Sequence, residues 1–338
     1  MSASDEPVRI GVVGLGHWGP NLARNFASIP GARLTWLCDG SDAVRDRWAP
    51  SFPQARMAAN IEDLLGAEDL DAIVLATPVP THASLACAVL SSGKHCFVEK
   101  PLAQTVDDAQ QTIDAAQRAE KLLMVGHLLE YHPAVVSLKE IVSSGELGSI
   151  FYLYGNRLNL GVLRSDENAL WSLGAHDVSV VLHLLQEEPI ECFARGECYV
   201  RPGVEDVVFC YLRFASGAAA HLHLSWLDPH KERRLTIVGS RRMATFDDMA
   251  LEGKVTIYDK GFDEDIRSWG EYLTRSGDIH SPRIANTEPL RVECEHFVEC
   301  IRTGAVPRSD GYDGLRVVRV LEALENSLRA GAPTGRRP

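Results

Sequence analysis

The first third of the chain alternates short apolar runs with amphipathic stretches. Val8–Val13 is a β-rich run that ends at glycines, and Leu22, Ala23 and Phe26 then recur at helical spacing. The alternation continues through predicted strands and helices, namely strands Leu34–Cys38, Ala72–Ala76, Cys96–Val98 and Leu122–Val125 and helices Ala83–Leu90 and Val106–Ala119. Strands separated by helices indicate βαβ units, and short apolar strands are typical of a parallel sheet covered on both faces. We therefore predict an α/β fold with a doubly wound parallel sheet.

The pattern changes after about residue 126, where strands follow one another without helices between them. The predicted elements are helices Ala134–Ser143 and His176–Leu185, a strand from Ile150, strands Val207–Phe214, Ala218–Trp226, Leu235–Val238 and Val255–Tyr258, and closing helices Val292–Arg302 and Leu315–Leu328. Successive strands indicate an open, mainly antiparallel sheet. We predict an N-terminal domain over residues 1–125 and an α+β domain over residues 126–331, and the length of 338 residues fits two domains.

Composition and charge narrow the range of partners. The formal net charge of -12 disfavours nucleic acid, whose phosphates would be repelled. No apolar run approaches the roughly 20 residues that span a bilayer, so we expect no membrane partner. The eight cysteines form no C-x-x-C pair, and the start of the chain, Met1–Pro7, has no hydrophobic signal region. We expect reduced thiols in a cytoplasmic protein, and the histidines and cysteines lack the spacing of a metal site.

The segment Gly14–Gly19 reads G-L-G-H-W-G, the G-x-G-x-x-G pattern of dinucleotide-binding turns. It follows a predicted strand and opens a predicted helix, as a Rossmann fold requires. The first glycine allows the tight turn, the second lets the pyrophosphate approach, and the third allows close helix packing. A glycine-rich turn without a ligand is the alternative. The candidate cofactor-binding residues here are Gly14, Gly16, His17, Trp18 and Gly19.

Asp39 ends the second strand, twenty residues after Gly19. An acidic residue at that place accepts hydrogen bonds from the ribose hydroxyls and would repel a 2′-phosphate. We therefore expect NAD as the cofactor and NADP less readily. Two alternatives stay open: Asp39 as an ordinary surface residue, and Arg45 as a partner for NADP.

Oxidation of an alcohol with NAD requires a proton acceptor and a group that stabilises the developing alkoxide. Glu99 and Lys100 follow a strand and should lie at the carboxyl edge of the parallel sheet, where ligands bind. The Lys100 ammonium could hold the reacting hydroxyl, although position alone leaves a solvated surface lysine open.

His176 opens a predicted apolar helix. A helix N-terminus disfavours the imidazolium, so a neutral His176 could accept the proton. A capping or packing histidine is the alternative.

The chain resembles the family of glucose–fructose oxidoreductase, inositol dehydrogenase and MocA nearly from end to end. The matching segments are the glycine fingerprint, Ala76-Thr77-Pro78 with Thr81-His82, Gly93-Lys94-His95, Glu99-Lys100-Pro101, Gly126-His127, Tyr131-His132-Pro133, Gly145-Glu146-Leu147-Gly148, Gly174-x-His176-Asp177, Asp310-Gly311, Gly314-Leu315 and Val317-Val318. E-K-P and G-x-H-D in this order behind the fingerprint form a specific combination.

The resemblance implies that Lys100 is the catalytic lysine, with a cis Lys100–Pro101 peptide, and that His176 is the general acid/base. It implies that a crevice for the cofactor is lined by Ala76, Thr77, Pro78, His82, Glu99 and Lys100. It also implies a homodimer or homotetramer formed through the open sheet of the second domain. Many members carry an Asp four residues before the catalytic His, where this chain has Ser172, so the usual Lys–Asp–His triad is absent.

Within the family, the chain resembles dehydrogenases that oxidise the 3-hydroxyl of a UDP-linked N-acetylglucosaminuronate. The segments that carry this resemblance are Asn156–Gly161, Arg164–Trp171, Pro202–Asp206 and Ser225–Pro229. An arginine among them could pair with a carboxylate or phosphate, or lie solvated at the surface. The candidate substrate-binding residues are Lys100, Tyr131, Asn156, Arg157, Arg164, Ser172 and His176.

We expect NAD-dependent oxidation of a sugar or nucleotide-sugar secondary alcohol. A polyol dehydrogenase of the inositol type, or a keto-sugar reductase, would use the same residues. A dinucleotide-sensing regulator without catalysis is the third alternative, since one fold supports several functions. Lys100 and His176 count against it, because a sensor needs neither proton-handling group.

Overall fold

A computed structural model describes residues 6–161, 163–164, 167–267 and 271–331. The chain forms two compact units, and neither is contiguous in sequence. The first contains the chain through Tyr131 together with Thr287–Arg319. The second contains His132–Asn286 together with the chain from Val320. The closing segment of the chain therefore contributes to both units.

The first unit is built on a six-stranded parallel sheet. Its strands are β1 (Val8–Val13), β2 (Ala32–Cys38), β3 (Arg56–Ala58), β4 (Ala72–Leu75), β5 (His95–Glu99) and β6 (Leu123–Gly126). The connecting helices are α1 (Gly19–Ser28), α2 (Asp42–Trp48), α3 (Ile61–Leu65), α4 (His82–Ser91) and α5 (Val106–Ala119). The strand order β3-β2-β1-β4-β5-β6, with every neighbouring pair parallel, confirms the predicted doubly wound Rossmann sheet.

The second unit is built on an eight-stranded sheet. Its strands are β7 (Ile150–Leu158), β8 (Pro189–Glu197), β9 (Val207–Phe214), β10 (Ala219–Ser225), β11 (Glu232–Gly239), β12 (Met243–Asp247), β13 (Val255–Arg267) and β14 (Glu271–His280). Its order is β14-β13-β12-β11-β7-β10-β9-β8, in which β7 and β10 run parallel and the other neighbours run antiparallel. The predicted open, mainly antiparallel sheet is thus confirmed. Its helices are α6 (Pro133–Ser143) and α7 (Ala175–Leu185).

Two helices close the chain. Helix α8 (Pro289–Thr303) belongs to the first unit, whereas α9 (Gly311–Ala330) is divided, with its residues to Arg319 in the first unit and those from Val320 in the second. Within the described part of the chain, none of the helices is long and apolar enough to span a bilayer.

Helices cover both faces of the first sheet. On one face α1 and α8 pack against it, and Phe297 of α8 makes edge-to-face contacts with Phe26 of α1 and Phe97 of β5 at centroid distances of 6.2 and 5.6 Å. On the other face α4 and α5 bury residues such as Val89 and Ile113. This burial on both sides explains why these strands are short and wholly apolar.

Among the described residues, helices cover one face of the second sheet and the other face is exposed. Along β9, Val208, Cys210, Leu212 and Phe214 are buried while the residues between them are exposed. Helices α6 and α7 contact β12, β13 and β7. The alternation of apolar and polar residues along these strands therefore corresponds to one buried and one exposed face of the sheet.

The core of the first unit contains a carboxyl group. Glu293 of α8 has 0 % of its surface exposed, and neither of its carboxylate oxygens has a hydrogen-bond partner among the described residues. Burial raises the pKa of Glu293 well above its ordinary value of 4.5, and the neighbouring carboxyl of Glu99 raises it further. The folded protein therefore holds this proton more tightly than the unfolded chain, which lowers stability as pH rises above about 4.5.

We expect Glu293→Gln to raise the unfolding midpoint at pH 8 and to change it little at pH 5. Glutamine does not ionise, so the variant lacks the loss of stability that Glu293 causes as the pH rises. One unit of pKa shift corresponds to about 1.4 kcal/mol, and each 1 kcal/mol to about 2–4 °C in the melting temperature. Thermal unfolding at both pH values measures the effect, with Glu299→Gln on the exposed side of the same helix as the control. An equal change at pH 5 and pH 8 would contradict this account of Glu293.

Candidate functional site

The fingerprint turn is built around a close backbone contact. Gly14 has φ +89°, and a Cβ at this position would lie 2.6 Å from the Ala76 carbonyl oxygen and 2.9 Å from the Thr77 nitrogen. A Cβ on Gly19 would lie 1.8 Å from the Gly14 carbonyl oxygen. Both positions therefore require glycine, for the left-handed turn at Gly14 and for the approach of the helix at Gly19.

The space in front of this turn is open. A Cβ built on Gly16 meets no atom within 4 Å. His17 is exposed, and Trp18, which precedes α1, makes no side-chain cap with the helix. The first turn of α1 contains no acidic residue. Backbone N–H groups at a helix N-terminus, without a cap or a repelling carboxylate, favour an anion, so this cradle fits the pyrophosphate of a dinucleotide.

Asp39 lies beside the fingerprint. Its carboxylate accepts hydrogen bonds from the backbone nitrogens of Leu15 (2.8 Å) and Ser41 (2.9 Å). Arg45 donates to the Asp39 carbonyl oxygen and pairs with the Asp42 carboxylate. The guanidinium that could have held a 2′-phosphate is thus bound to local acceptors, which agrees with the predicted preference for NAD.

The loop after β4 carries Ala76, Thr77 and Pro78. The Ala76 nitrogen donates to the Val13 carbonyl at 2.8 Å, which ties this loop to the end of β1. His82 is 1 % exposed, and its two ring nitrogens lie 2.8 Å from the carbonyl oxygens of Thr77 and Pro101. Burial lowers the pKa of His82. We had predicted His82 as a lining residue, and the structure places it inside the protein, between the two loops that it joins.

Glu99 ends β5 at the carboxyl edge of the sheet and Lys100 follows it directly, as predicted. Both are half-buried, and the Lys100–Pro101 peptide is cis, as the family resemblance implied. The Lys100 backbone nitrogen donates to the Glu99 carboxylate at 3.3 Å. Glu99 is the register partner of Gly126 in the neighbouring strand β6. Burial raises the pKa of Glu99 to about 7. The Glu99 carboxyl is therefore partly protonated near neutral pH.

A buried histidine–carboxylate cluster follows β6. His127 Nδ1 lies 2.7 Å from Asp313 Oδ2 and 3.4 Å from Glu130 Oε1. Burial alone would lower the pKa of His127, but the hydrogen bonds to Asp313 and Glu130 outweigh it and raise the pKa to about 10. His, Asp and Glu are metal-ligating residue types, and these three offer ligand atoms within 4.8 Å of one another. Because His127 and Asp313 are hydrogen-bonded to each other, we interpret the cluster as a histidine–carboxylate hydrogen-bond network rather than as a metal site. The sequence analysis missed this cluster.

Tyr131 belongs to the core of the first unit. It is 1 % exposed, and its hydroxyl lies 3.0 Å from Ser309 Oγ. The Arg308 guanidinium covers its ring at 4.9 Å. The Tyr131 hydroxyl is thus bound inside the core, and its predicted contact with the substrate stays a prediction.

Three polar side chains that we proposed for the substrate have local partners in the second unit. Asn156 donates to Glu232 at 2.9 Å. Arg157 forms a two-point contact with Asp177, described below. Arg164 pairs with Glu167 at 3.1 Å, and its side chain is exposed. Of the two arginines considered for an anionic substrate group, only Arg164 lies at the surface. Residues 162, 165 and 166 of the same segment lie outside the described residues.

His176 is the second residue of α7, as predicted for the start of this helix. A π-helical turn, Leu170–Gly174, leads directly into α7 and carries Ser172. His176 and Ser172 are both half-buried. Because Lys100 lies in the first unit and His176 in the second, their joint action stays a prediction.

Comparisons with known proteins match two parts of the chain to one family. The model of the oxidoreductase family with an NAD-binding Rossmann fold (GFO_IDH_MocA) matches residues 8–127, and that of the GFO/IDH/MocA C-terminal domain matches residues 135–245. The chain is 24 % identical to scyllo-inositol 2-dehydrogenase (NAD(+)) of Bacillus subtilis, over 97 % of this chain and 96 % of that protein.

A second relative is the UDP-N-acetylglucosamine 3-dehydrogenase of Acidithiobacillus ferrooxidans, which is 28 % identical over 92 % of this chain and 94 % of its own length. The solved structure of that enzyme has a TM-score of 0.82 at 26 % identity, covering 95 % of this chain and 98 % of that chain. The two family models together cover most of the chain, including the whole first sheet and strands β7 to β11 of the second. The protein therefore belongs to the GFO/IDH/MocA oxidoreductase family, and its first sheet is the NAD-binding Rossmann fold of that family.

Proposed function

We propose that the enzyme transfers a hydride between the nicotinamide and a secondary alcohol of a sugar, with the 3-hydroxyl of a nucleotide-linked amino sugar or uronate as the substrate group. The observation that carries this proposal is the position of Lys100. Lys100 directly follows β5 at the carboxyl edge of the sheet, and the glycine cradle follows β1 at the same edge. In parallel sheets of this kind, ligands bind at that edge.

Each residue has a defined part in the proposed reaction. When bound, NAD supplies the hydride acceptor for oxidation. The Lys100 ammonium donates a hydrogen bond to the reacting hydroxyl oxygen and stabilises its developing negative charge. His176 accepts the hydroxyl proton during oxidation and returns it during reduction. Ser172, which stands where many relatives carry an Asp, offers a neutral hydroxyl in place of a carboxylate.

The substrate class is supported by the relatives and by one exposed cation. The Acidithiobacillus relative is named for action on UDP-N-acetylglucosamine. Arg164 is the arginine of the candidate set whose side chain is open to solvent, which suits pairing with a phosphate or carboxylate. The inositol 2-dehydrogenases of Bacillus subtilis and Rubrobacter xylanophilus, at 24 % and 28 % identity, support a polyol as the second candidate substrate.

We place the enzyme in the cytoplasm on the chemistry of its cysteines. All eight are free thiols, and five of them are buried: Cys38, Cys96, Cys210, Cys294 and Cys300. Reduced thiols without disulfides are typical of that compartment.

We also propose a homodimer or homotetramer formed through the open face of the second sheet. One row across this face places Phe193, Tyr211, His221 and Tyr154 side by side, and all four are exposed. Phe209 stacks on His223 in the next row, at 4.4 Å between centroids. Soluble monomers rarely expose a contiguous apolar patch of this kind, so a second copy of the chain is the occupant we propose.

The activity test is a spectrophotometric NADH assay with UDP-N-acetylglucosaminuronate, UDP-N-acetylglucosamine, myo-inositol and simple hexoses, each with NAD and NADP. We expect turnover with a nucleotide sugar and NAD. Lys100→Met and His176→Asn should each lower kcat by at least about 100-fold and leave NAD binding intact, since general acid–base groups contribute about 10²–10⁴-fold.

Near-normal turnover by either variant would show that its role is misassigned. Turnover with myo-inositol alone would select the polyol reaction. Turnover of NADH with keto-sugars alone would select a reductase. Calorimetric NAD binding without turnover in either direction would select a sensor.

The oligomer test is light scattering coupled to gel filtration. We expect the wild-type protein to elute as a dimer or tetramer, and Tyr211→Arg to dissociate it by placing an unpaired charge in the contact. Tyr312→Arg, an exposed tyrosine of the first unit, is the matched control. A monomeric wild-type protein would refute the proposed interface.

A further inference from the structure

A buried ion pair anchors the helix that carries His176. Arg157 of β7 is 8 % exposed, and its Nε and Nη2 donate to Asp177 Oδ2 at 2.5 Å and Oδ1 at 3.2 Å. The two side chains are 10 % and 13 % exposed. A two-point arginine–carboxylate contact fixes orientation as well as distance, because the two planar groups must lie in register.

The same strand row holds a second anchor. Leu224 of β10 pairs with Arg157 across the sheet, and a Cβ on Gly174 would lie 2.8 Å from the Leu224 side chain. Gly174 is the residue before α7, and Asp177 is its third residue. The first turn of α7 is therefore fixed to neighbouring residues of β10 and β7 at two points, one steric and one ionic.

Other titratable groups lie close to the pair, and Asp248 faces three of the basic ones, namely His132, Arg233 and Lys254. Arg233 of β11 neighbours Arg157 in the sheet and is paired with Asp248 at 3.3 Å. From β9, the buried Cys210 thiol approaches Asp177, whose charge adds to burial in raising the pKa of Cys210. Arg157 thus engages both carboxylate oxygens of Asp177, so it is not left as a free cation for an anionic substrate group.

We propose that Arg157 and Asp177 are positioning residues that hold the imidazole of His176 in its reactive orientation. Successive residues of a helix point in different directions, so Asp177 acts on His176 through the helix backbone rather than by contact. The ion pair at Asp177, one residue after His176, prevents the first turn of α7 from rotating or sliding. A buried ion pair is a poor source of stability, since well-packed apolar residues often replace one without loss. That makes orientation of His176 the better account of why this pair is present.

The inference rests on the proposed role of His176, and the experiment separates the two. The double variant Arg157→Leu/Asp177→Leu removes both charges together. We expect an unfolding midpoint no lower than that of the wild type, NAD affinity within twofold, KM for the sugar within about threefold, and kcat reduced about 10–100-fold, the scale expected for misplacement of a reacting group. The control, Arg291→Gln/Glu295→Gln, removes an ion pair of α8 in the first unit and should leave kcat unchanged.

A spectroscopic readout needs no substrate. With ¹³C-labelled histidine, the Cε1 resonance of His176, assigned by its loss in His176→Asn, should be single in the wild type. It should broaden or split in the double variant, where the ring samples several orientations. Arg157→Lys keeps the charge but cannot make the two-point contact. It gives a second test if the double variant fails to fold, with an expected loss of about 3–10-fold in kcat and the same broadening.

The outcomes are distinct. Wild-type kcat and a single His176 resonance in the double variant, or in Arg157→Lys if the double variant does not fold, would overturn the positioning role alone. Wild-type turnover by His176→Asn would overturn the proposed function, and with it the reason for the anchor. If the double variant lost kcat and also had a lower unfolding midpoint than the wild type, the pair would have a structural role and the positioning role would be overturned.

Discussion

The contact between Gly14 and the Ala76–Thr77 backbone is the constraint on which the nucleotide-binding unit depends. It brings the turn after β1 against the loop after β4, at a separation that leaves no room for a Cβ. Gly19 repeats the constraint against Gly14 and sets the start of α1. Because both loops meet at the carboxyl edge of one parallel sheet, this contact gathers the cradle, Asp39 and the loop that His82 joins to Pro101 into one rigid region.

Buried charge is handled differently in the two units. In the first, hydrogen bonding to Asp313 raises the pKa of His127, while burial raises the pKa values of Glu99 and Glu293 because it disfavours their charged forms. In the second, Arg157 and Asp177 are paired one to one beside the helix that carries His176. In the first unit, the buried groups therefore have shifted pKa values. In the second unit, the Arg157–Asp177 ion pair fixes the position of one side chain relative to the other.

The sequence predicted elements whose signals are local. Helix α5 was predicted from Val106 to Ala119 and has those bounds, because Thr105 caps its first turn by accepting from the Asp108 nitrogen and Glu120 ends it in a left-handed conformation. Strands β1 and β9 were predicted over their observed ranges from runs of apolar or alternating residues. The fingerprint, Asp39 and the E-K-P segment were found for the same reason, since each motif lies within a few residues of chain.

Features made by distant pairing could not be predicted in this way. Strand β8 carries a mixed pattern and exists because it pairs with β9. The hydrogen bond between His127 and Asp313 joins residues 186 positions apart. Arg157 is a residue type that commonly binds anionic substrates, and only the packing of α7 against β7 shows that its Nε and Nη2 donate to Asp177.

The most direct test of the account is calorimetric titration of the wild-type protein and of Asp39→Ser with NAD and NADP. The account predicts that the wild type binds NAD at least about tenfold more tightly than NADP, a difference of about 1.4 kcal/mol, and that the variant loses this preference. The cause would be the Asp39 carboxylate, which Leu15 and Ser41 hold beside the cradle. Equal affinity of the wild type for the two cofactors, or unchanged discrimination in Asp39→Ser, would contradict it.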